Sequence, residues 1–166
     1  MIVADIGWTN AAFADDCNSG ISEAAQSMTL MHREIIAELL SPPWTGAPLR
    51  SCIQAILAAA AEAQTENWDG YGAPPFKQGA VLNAVKLLKR VPATMAVDDV
   101  YVDSDGDVLL EWQSSARRSF TVSVNERGEL HFAGMFGLSR MRGREAFVGD
   151  SLPESVRLGI RRVFQS

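Results

Sequence analysis

Two carboxylates in this chain could work as an acid and a base. Asp69 sits in the run Asn67-Trp68-Asp69-Gly70-Tyr71-Gly72-Ala73-Pro74-Pro75, and Glu111 precedes Trp112 in a stretch with a strand pattern. Paired carboxylates hydrolyse or transfer a group when their separation suits the reacting atoms, and position in the chain does not fix that separation. His131 or Arg140 would be a further member of such a hydrolase or transferase site. The two histidines, His32 and His131, are scattered, which makes neither a metal site nor a triad. Cys17 and Cys52 have neither metal-ligand spacing nor a disulfide framework and read as reduced thiols. No GxSxG, P-loop, HExxH or CxxC motif is present, so we expect no metal and no cofactor.

Other residue types point to binding. Trp68 and Tyr71 offer flat apolar area with polar tips, as recognition surfaces do. The same loop also has a structural reading. Trp68 would plug a junction between helices and sheet, Asp69 would accept backbone donors, and Gly70 and Gly72 would take positive φ. Asp103-Ser104-Asp105-Gly106-Asp107 has the look of the start of a calcium loop, but its glycine is fourth where an EF-hand needs it sixth, so we read a hairpin turn. With Asp98, Asp99 and Glu111, the residues Asp103, Asp105 and Asp107 form an acidic set without a Lys or Arg inside it. This is either a solvated face or a dock for a basic protein surface. Arg140, Arg142 and Arg144 alternate further on, and Arg117-Arg118 and Arg161-Arg162 add positive charge. They could hold a phosphate or a carboxylate-rich partner, or pair with acids of the same molecule or of a second copy.

These groups must be positioned by the following elements. Ala24, Ala25, Met28, Met31, Ile35, Ile36 and Leu39 recur at helical steps from Ser22, with Ser22 or Ser27 as cap and Ser41-Pro42-Pro43 as the stop. Residues 1–20 are weakly patterned, either an ordered arm or a loose tail. A second helix is expected from about Leu49 to Thr65, with Ile53, Ile56, Leu57 and Ala60 as its stripe and the run Ala58-Ala59-Ala60-Ala61 of high helix propensity. A third runs from Pro75 or Phe76 to Arg90. The period then changes to two. Strands are expected over Val97–Val102, Asp107–Trp112, Arg118–Val124 and Glu129–Met135, joined by turns at Asp103–Gly106 and Asn125–Gly128. Phe136–Arg144 reads as a loop or bulged extension, Glu145–Val148 as a short edge strand, and Leu152–Phe164 as a helix opened by a capping box at Ser151–Glu154. The expected fold is therefore α+β, one domain, with an antiparallel meander of four to five strands covered on one face by helices.

The segments Asn67-Trp68-Asp69-Gly70-Tyr71-Gly72-Ala73-Pro74, Val108-Leu109-Leu110-Glu111-Trp112 and Ala133-Gly134-Met135-Phe136-Gly137, in that order, resemble a group of small, uncharacterised bacterial proteins with an NWDGYGA loop. The resemblance spans roughly residues 60–165. It implies one domain and brings no activity with it.

The whole chain, 166 residues with a formal charge of −5, fits one domain and argues against non-specific nucleic-acid binding. Its first residues have no basic region of the kind that opens a signal peptide. Its most apolar run, Cys52–Ala63, falls well short of the ~20 residues a transmembrane helix needs. The expectation is a cytoplasmic protein with no membrane part. Its leading function is non-catalytic binding of another protein, as an inhibitor, antitoxin-like, immunity-like or accessory factor. Trp68, Asp69, Tyr71, Asp103, Asp105, Asp107, Arg140, Arg142 and Arg144 are the candidate contacts. The alternatives are an enzyme using Asp69 and Glu111, and nucleic-acid binding through Arg140–Arg144. A homodimer could join the acidic hairpin to the arginine segment across a two-fold axis.

Overall fold

The computed structural model describes residues 22–40 and 46–165. The readings of residues 1–20, Cys17 and the Ser41-Pro42-Pro43 stop lie outside the described residues, as does the side chain of His32. The elements are α1 (Glu23–Leu40), α2 (Gly46–Glu62), α3 (Gln78–Leu88), a 3-10 turn (Ala93–Met95), β1 (Asp99–Val102), β2 (Val108–Ser115), β3 (Arg118–Val124), β4 (Glu129–Phe136), β5 (Ser139–Ala146) and α4 (Glu154–Phe164). The fold is α+β. The five strands form one antiparallel meander in chain order, with helices against it and a C-terminal helix.

The strand register decides which residues share a face. Val100, Leu110, Val122, Phe132 and Gly143 form one row across the sheet, and Asp99, Glu111, Thr121, Ala133 and Arg142 form the next. Side chains alternate along a strand, so these two rows point in opposite directions. The first belongs to the inner face, where Leu110, Trp112, Phe120, Val122 and Leu130 are fully buried. Phe120 is its centre, with ring centroids 6.2 Å from Trp112, 5.9 Å from Phe132 and 6.4 Å from Phe136. Val81 and Val85 of α3 and Val156, Ile160 and Val163 of α4 close over it. α4 can approach because it has no side chain at Gly159, where an added Cβ would overlap the Phe120 ring.

α1 packs on α3 and buries Met31 and Ile35. The Ser22 hydroxyl caps it, accepting from the Ala25 amide at 3.3 Å. α2 runs against β1 with its alanine-rich flank, and Ala55, Ala58 and Ala59 line a cleft there together with Val100 and Val102. Small side chains allow that approach while Ile53 and Ile56 point into the core.

The structure corrects four local expectations. Phe136–Arg144 is not a loop: Ser139–Ala146 is a full edge strand paired along its length with β4. The apolar signal was weak because Gly143 stands on the inner face where a large residue would normally be. The Phe132 ring fills that place, and a Cβ on Gly143 would lie 2.8 Å from its Cε2. The capping box at Ser151–Glu154 does not form. Pro153 occupies the cap position with φ −56°, no side chain caps the helix, and Glu154 is already its first residue. Glu154 pairs instead with Arg157. α2 is shifted toward the N-terminus, covering Gly46–Glu62. α3 starts only at Gln78, because Pro74 and Pro75 belong to the preceding loop.

Candidate functional site

The loop Asn67–Pro75 is built by its own hydrogen bonds. Asn67 takes a left-handed φ of 61°, and its side-chain oxygen accepts from the Gly72 amide at 2.8 Å. One oxygen of Asp69 accepts from the amides of Tyr71 at 2.8 Å and Ala73 at 3.1 Å. Those two donors stabilise the ionised form and hold the carboxyl below the usual carboxylate range. Gly70 and Gly72 have φ of 78° and 93°, as expected. The Trp68 indole donates to the Pro74 carbonyl at 3.0 Å and lines a cleft between α2 and β1. Tyr71 is 95% exposed. The loop's two aromatic residues therefore divide: Trp68 is lodged at the helix–sheet junction and Tyr71 is presented to solvent.

The acidic hairpin is fastened to this loop. Gly106, at φ +77°, lies so close to Pro75 that a Cβ would fall 2.6 Å from the Pro75 carbonyl oxygen. The Lys77 amide donates to the Gly106 carbonyl at 2.9 Å. Asp103 accepts from the amides of Asp105 and Asp107, as hairpin turns with an aspartate in this place do. Asp107 is not an unpaired acid: its carboxylate meets Lys77 Nζ at 2.9 Å, and that contact raises the lysine pKa. Asp98 accepts from the Gln113 amide at 2.8 Å. The remaining acids gather around Tyr101. Partial burial, and then the charges of Glu111, Asp99 and Asp103, push its phenol up.

The outer face of the sheet joins residues that are far apart in sequence. Its three rows are Tyr101, Leu109, Ser123, His131 and Arg144; then Asp99, Glu111, Thr121, Ala133 and Arg142; then Gln113, Ser119, Met135 and Arg140. None of these residues is buried. The acids stand on β1 and β2, the three arginines stand side by side on β5, and small or neutral residues separate them. Four inter-strand steps of roughly 4.8 Å put β1 about 19 Å from β5. That exceeds the screening length of about 8 Å at physiological ionic strength, so the two halves do not neutralise each other. Among the described residues, Arg140, Arg142 and Arg144 make no ion pair and no side-chain hydrogen bond. Their side chains rise around two depressions. One, of about 630 Å³, is lined by Leu109, Thr121, Ser123, His131, Arg142 and Arg144. The other, of about 410 Å³, lies between Arg140 and Arg142 over Ala133 and Gly134.

Arg118 and Arg162 have structural partners. Arg118 donates to the carbonyls of Arg162 and Gln165 at the end of α4, and Arg162 lies 4.3 Å from the Phe136 ring centroid. Asp69 belongs to the loop beside α2, whereas Glu111 lies in the middle of the outer sheet face, so no hydrogen bond or shared cleft links them. His131 is also on the outer face, beside Arg144 in the register. Among the described residues, no group of three His, Cys, Asp or Glu side chains is placed to hold a metal ion. No helix among them is long and apolar enough to cross a membrane. Tyr101, His131 and Met135 join the arginines on this face. The strict two-residue step from Arg140 through Arg142 to Arg144 was the signal that could have placed them together.

No family model matches this chain, and neither does any curated protein or solved structure.

Proposed function

We propose that this protein acts by contact with another protein and not by catalysis, as a regulatory module of the inhibitor, antitoxin-like, immunity-like or accessory kind. The observation that carries this reading is the bare outer face of the sheet. It has arginines along one edge strand, acids along the opposite pair, and small or neutral residues between them. A sheet face left open by its own helices and sorted by charge suits recognition, since separated charge orients a partner and speeds encounter. The two carboxylates that would serve a hydrolase or transferase have separate surroundings, and Asp69 is held by its turn. The formal charge of −5 works against holding a nucleic-acid backbone. We place the module in the cytoplasm.

The test uses the full chain as bait in native lysate, beside R140E/R142E/R144E. The expected result is one stoichiometric protein retained by the first and lost by the second. Equal retention by both would move the contact away from this face, and recovery of none would remove the reading.

A further inference from the structure

We infer that β5 is the docking edge of the module and that its occupant is an extended acidic segment of the partner, added as a sixth antiparallel strand. The inference rests on the protein-contact reading and deepens it. The two edges of the sheet differ. β1 is flanked by α2, whereas β5 is last in the order and reaches beyond the main helical layer. Seven of its eight residues are exposed, with Met141 half-buried. An eight-residue edge strand leaves a row of amides and carbonyls free to pair with another chain.

The charge of the edge selects the occupant. Arg140, Arg142 and Arg144 repeat at steps of roughly 6.7 Å on one face. A strand laid beside them places its own alternate residues within about 5 Å of each guanidinium-bearing position, where opposite charges stabilise and like charges destabilise. A second copy cannot use this edge well. Antiparallel pairing of β5 with itself about Arg142 sets Arg142 opposite Arg142 and Arg140 opposite Arg144. The acidic strand β1 of another copy is already flanked by α2. An Asp- or Glu-bearing strand from a different protein meets neither obstacle. Guanidinium groups also suit carboxylates geometrically, with paired donors matching paired oxygens.

The inner side of β5 sets the other half of the preference. Met141 and Gly143 point inward, Gly143 lying beneath the Phe132 ring. The Ser155 hydroxyl of α4 donates to Glu145 on the same side, and Leu158, 45% exposed, follows one helical turn later. The occupant's inward residues therefore meet Met141 and, beyond Gly143, the Glu145 carboxylate, so this side favours aliphatic residues and disfavours acidic ones. The sequence that fits alternates acidic with aliphatic residues over five to seven positions.

The test measures binding of a labelled seven-residue peptide, Thr-Glu-Val-Glu-Val-Glu-Thr, by fluorescence anisotropy, with hydrogen exchange across β5. Three controls accompany it: the Lys-for-Glu peptide, the same acidic peptide with alternate amides N-methylated on its pairing edge, and the variant R142E. The expected result is binding that slows exchange in β5, with at least tenfold loss for each of the three controls. Circular dichroism checks that R142E, a change at an exposed position, stays folded. If the N-methylated peptide binds as tightly as its parent, the arginines hold charge without strand addition. The inference then falls while the protein-contact reading stands. If β5 is protected in the protein alone and the protection grows with protein concentration, the occupant is a second copy and the inference is overturned. If no acidic peptide binds, the inference falls, and the protein-contact reading falls with it only if the parent bait also retains no protein.

Discussion

Replacing Gly159 by alanine should destabilise this protein, although the same change at an exposed helix position stabilises. Alanine is favoured over glycine by about 0.8–1.0 kcal/mol in a helix interior. At Gly159 the new methyl would lie 2.7 Å from Phe120 Cδ2, with further ring atoms closer still. The ring cannot retreat. It is fully buried and hemmed in by Trp112, Phe132 and Phe136. α4 must then lift from the sheet, and overpacking of this kind costs roughly 1–3 kcal/mol. Here the upper part of that range applies, because a helix moves and not one rotamer. The net expectation is a loss of about 1–2 kcal/mol, or roughly 2–8 °C in Tm for a chain of this size. Equilibrium unfolding in urea, followed by far-ultraviolet circular dichroism, measures it, with the slope m unchanged. The background F120L, which removes the ring atoms nearest the new methyl, should turn G159A from destabilising to neutral or stabilising. That reversal would appear as a coupling of about 0.5–3 kcal/mol. If G159A stabilises the parent by about 1 kcal/mol, α4 does not lie over Phe120. The inner face of the sheet is then not closed by α4.

Three further outcomes are expected. Asp69 has a depressed pKa in the folded chain, so its contribution is present above an ordinary aspartate pKa of about 3.9 and is lost as pH falls through the folded value. D69N should accordingly flatten the acid limb of the stability profile, and an unchanged limb would count against the turn geometry. The Tyr101 phenol should titrate above the usual tyrosine value when followed by ultraviolet absorbance, and E111Q should lower it, because the Glu111 charge is one cause of the rise. G106A combines strain at φ +77° with overlap at the Pro75 carbonyl, and should cost roughly 2–4 kcal/mol in chemical denaturation. A cost below 1 kcal/mol would mean that the hairpin and the central loop are not fastened together.

Much of the fold was legible in the sequence because its signals are local. The stripe Val81, Val85 and Leu88 requires a helix with one buried side, and Val108, Leu110 and Trp112 require a strand with one. Asp103–Gly106 and Asn125–Gly128 turn the chain whatever surrounds them. The loop Asn67–Pro75 was equally legible. Asn, Asp and Gly supply its capping oxygens and positive φ from within nine residues. Local chemistry did not reveal β5. Its inner side holds Gly143 where a strand usually shows a large residue, and the missing bulk comes from Phe132 on the neighbouring strand. For the same reason the arginines looked like a loop cluster. Only the cross-strand register turned them into one row, and that register depends on the packing of β4 against β3 and of α4 over both. Nor does sequence separation reveal that Asp107 belongs to Lys77 across 30 residues while Arg140, Arg142 and Arg144 are left without partners among the described residues. The sequence by itself determined the elements, their order and the self-built central loop, because each depends on neighbours in the chain. The tertiary structure alone decided which face of the sheet stays open and which charges stand on it, because pairing brings together residues that no local interaction connects.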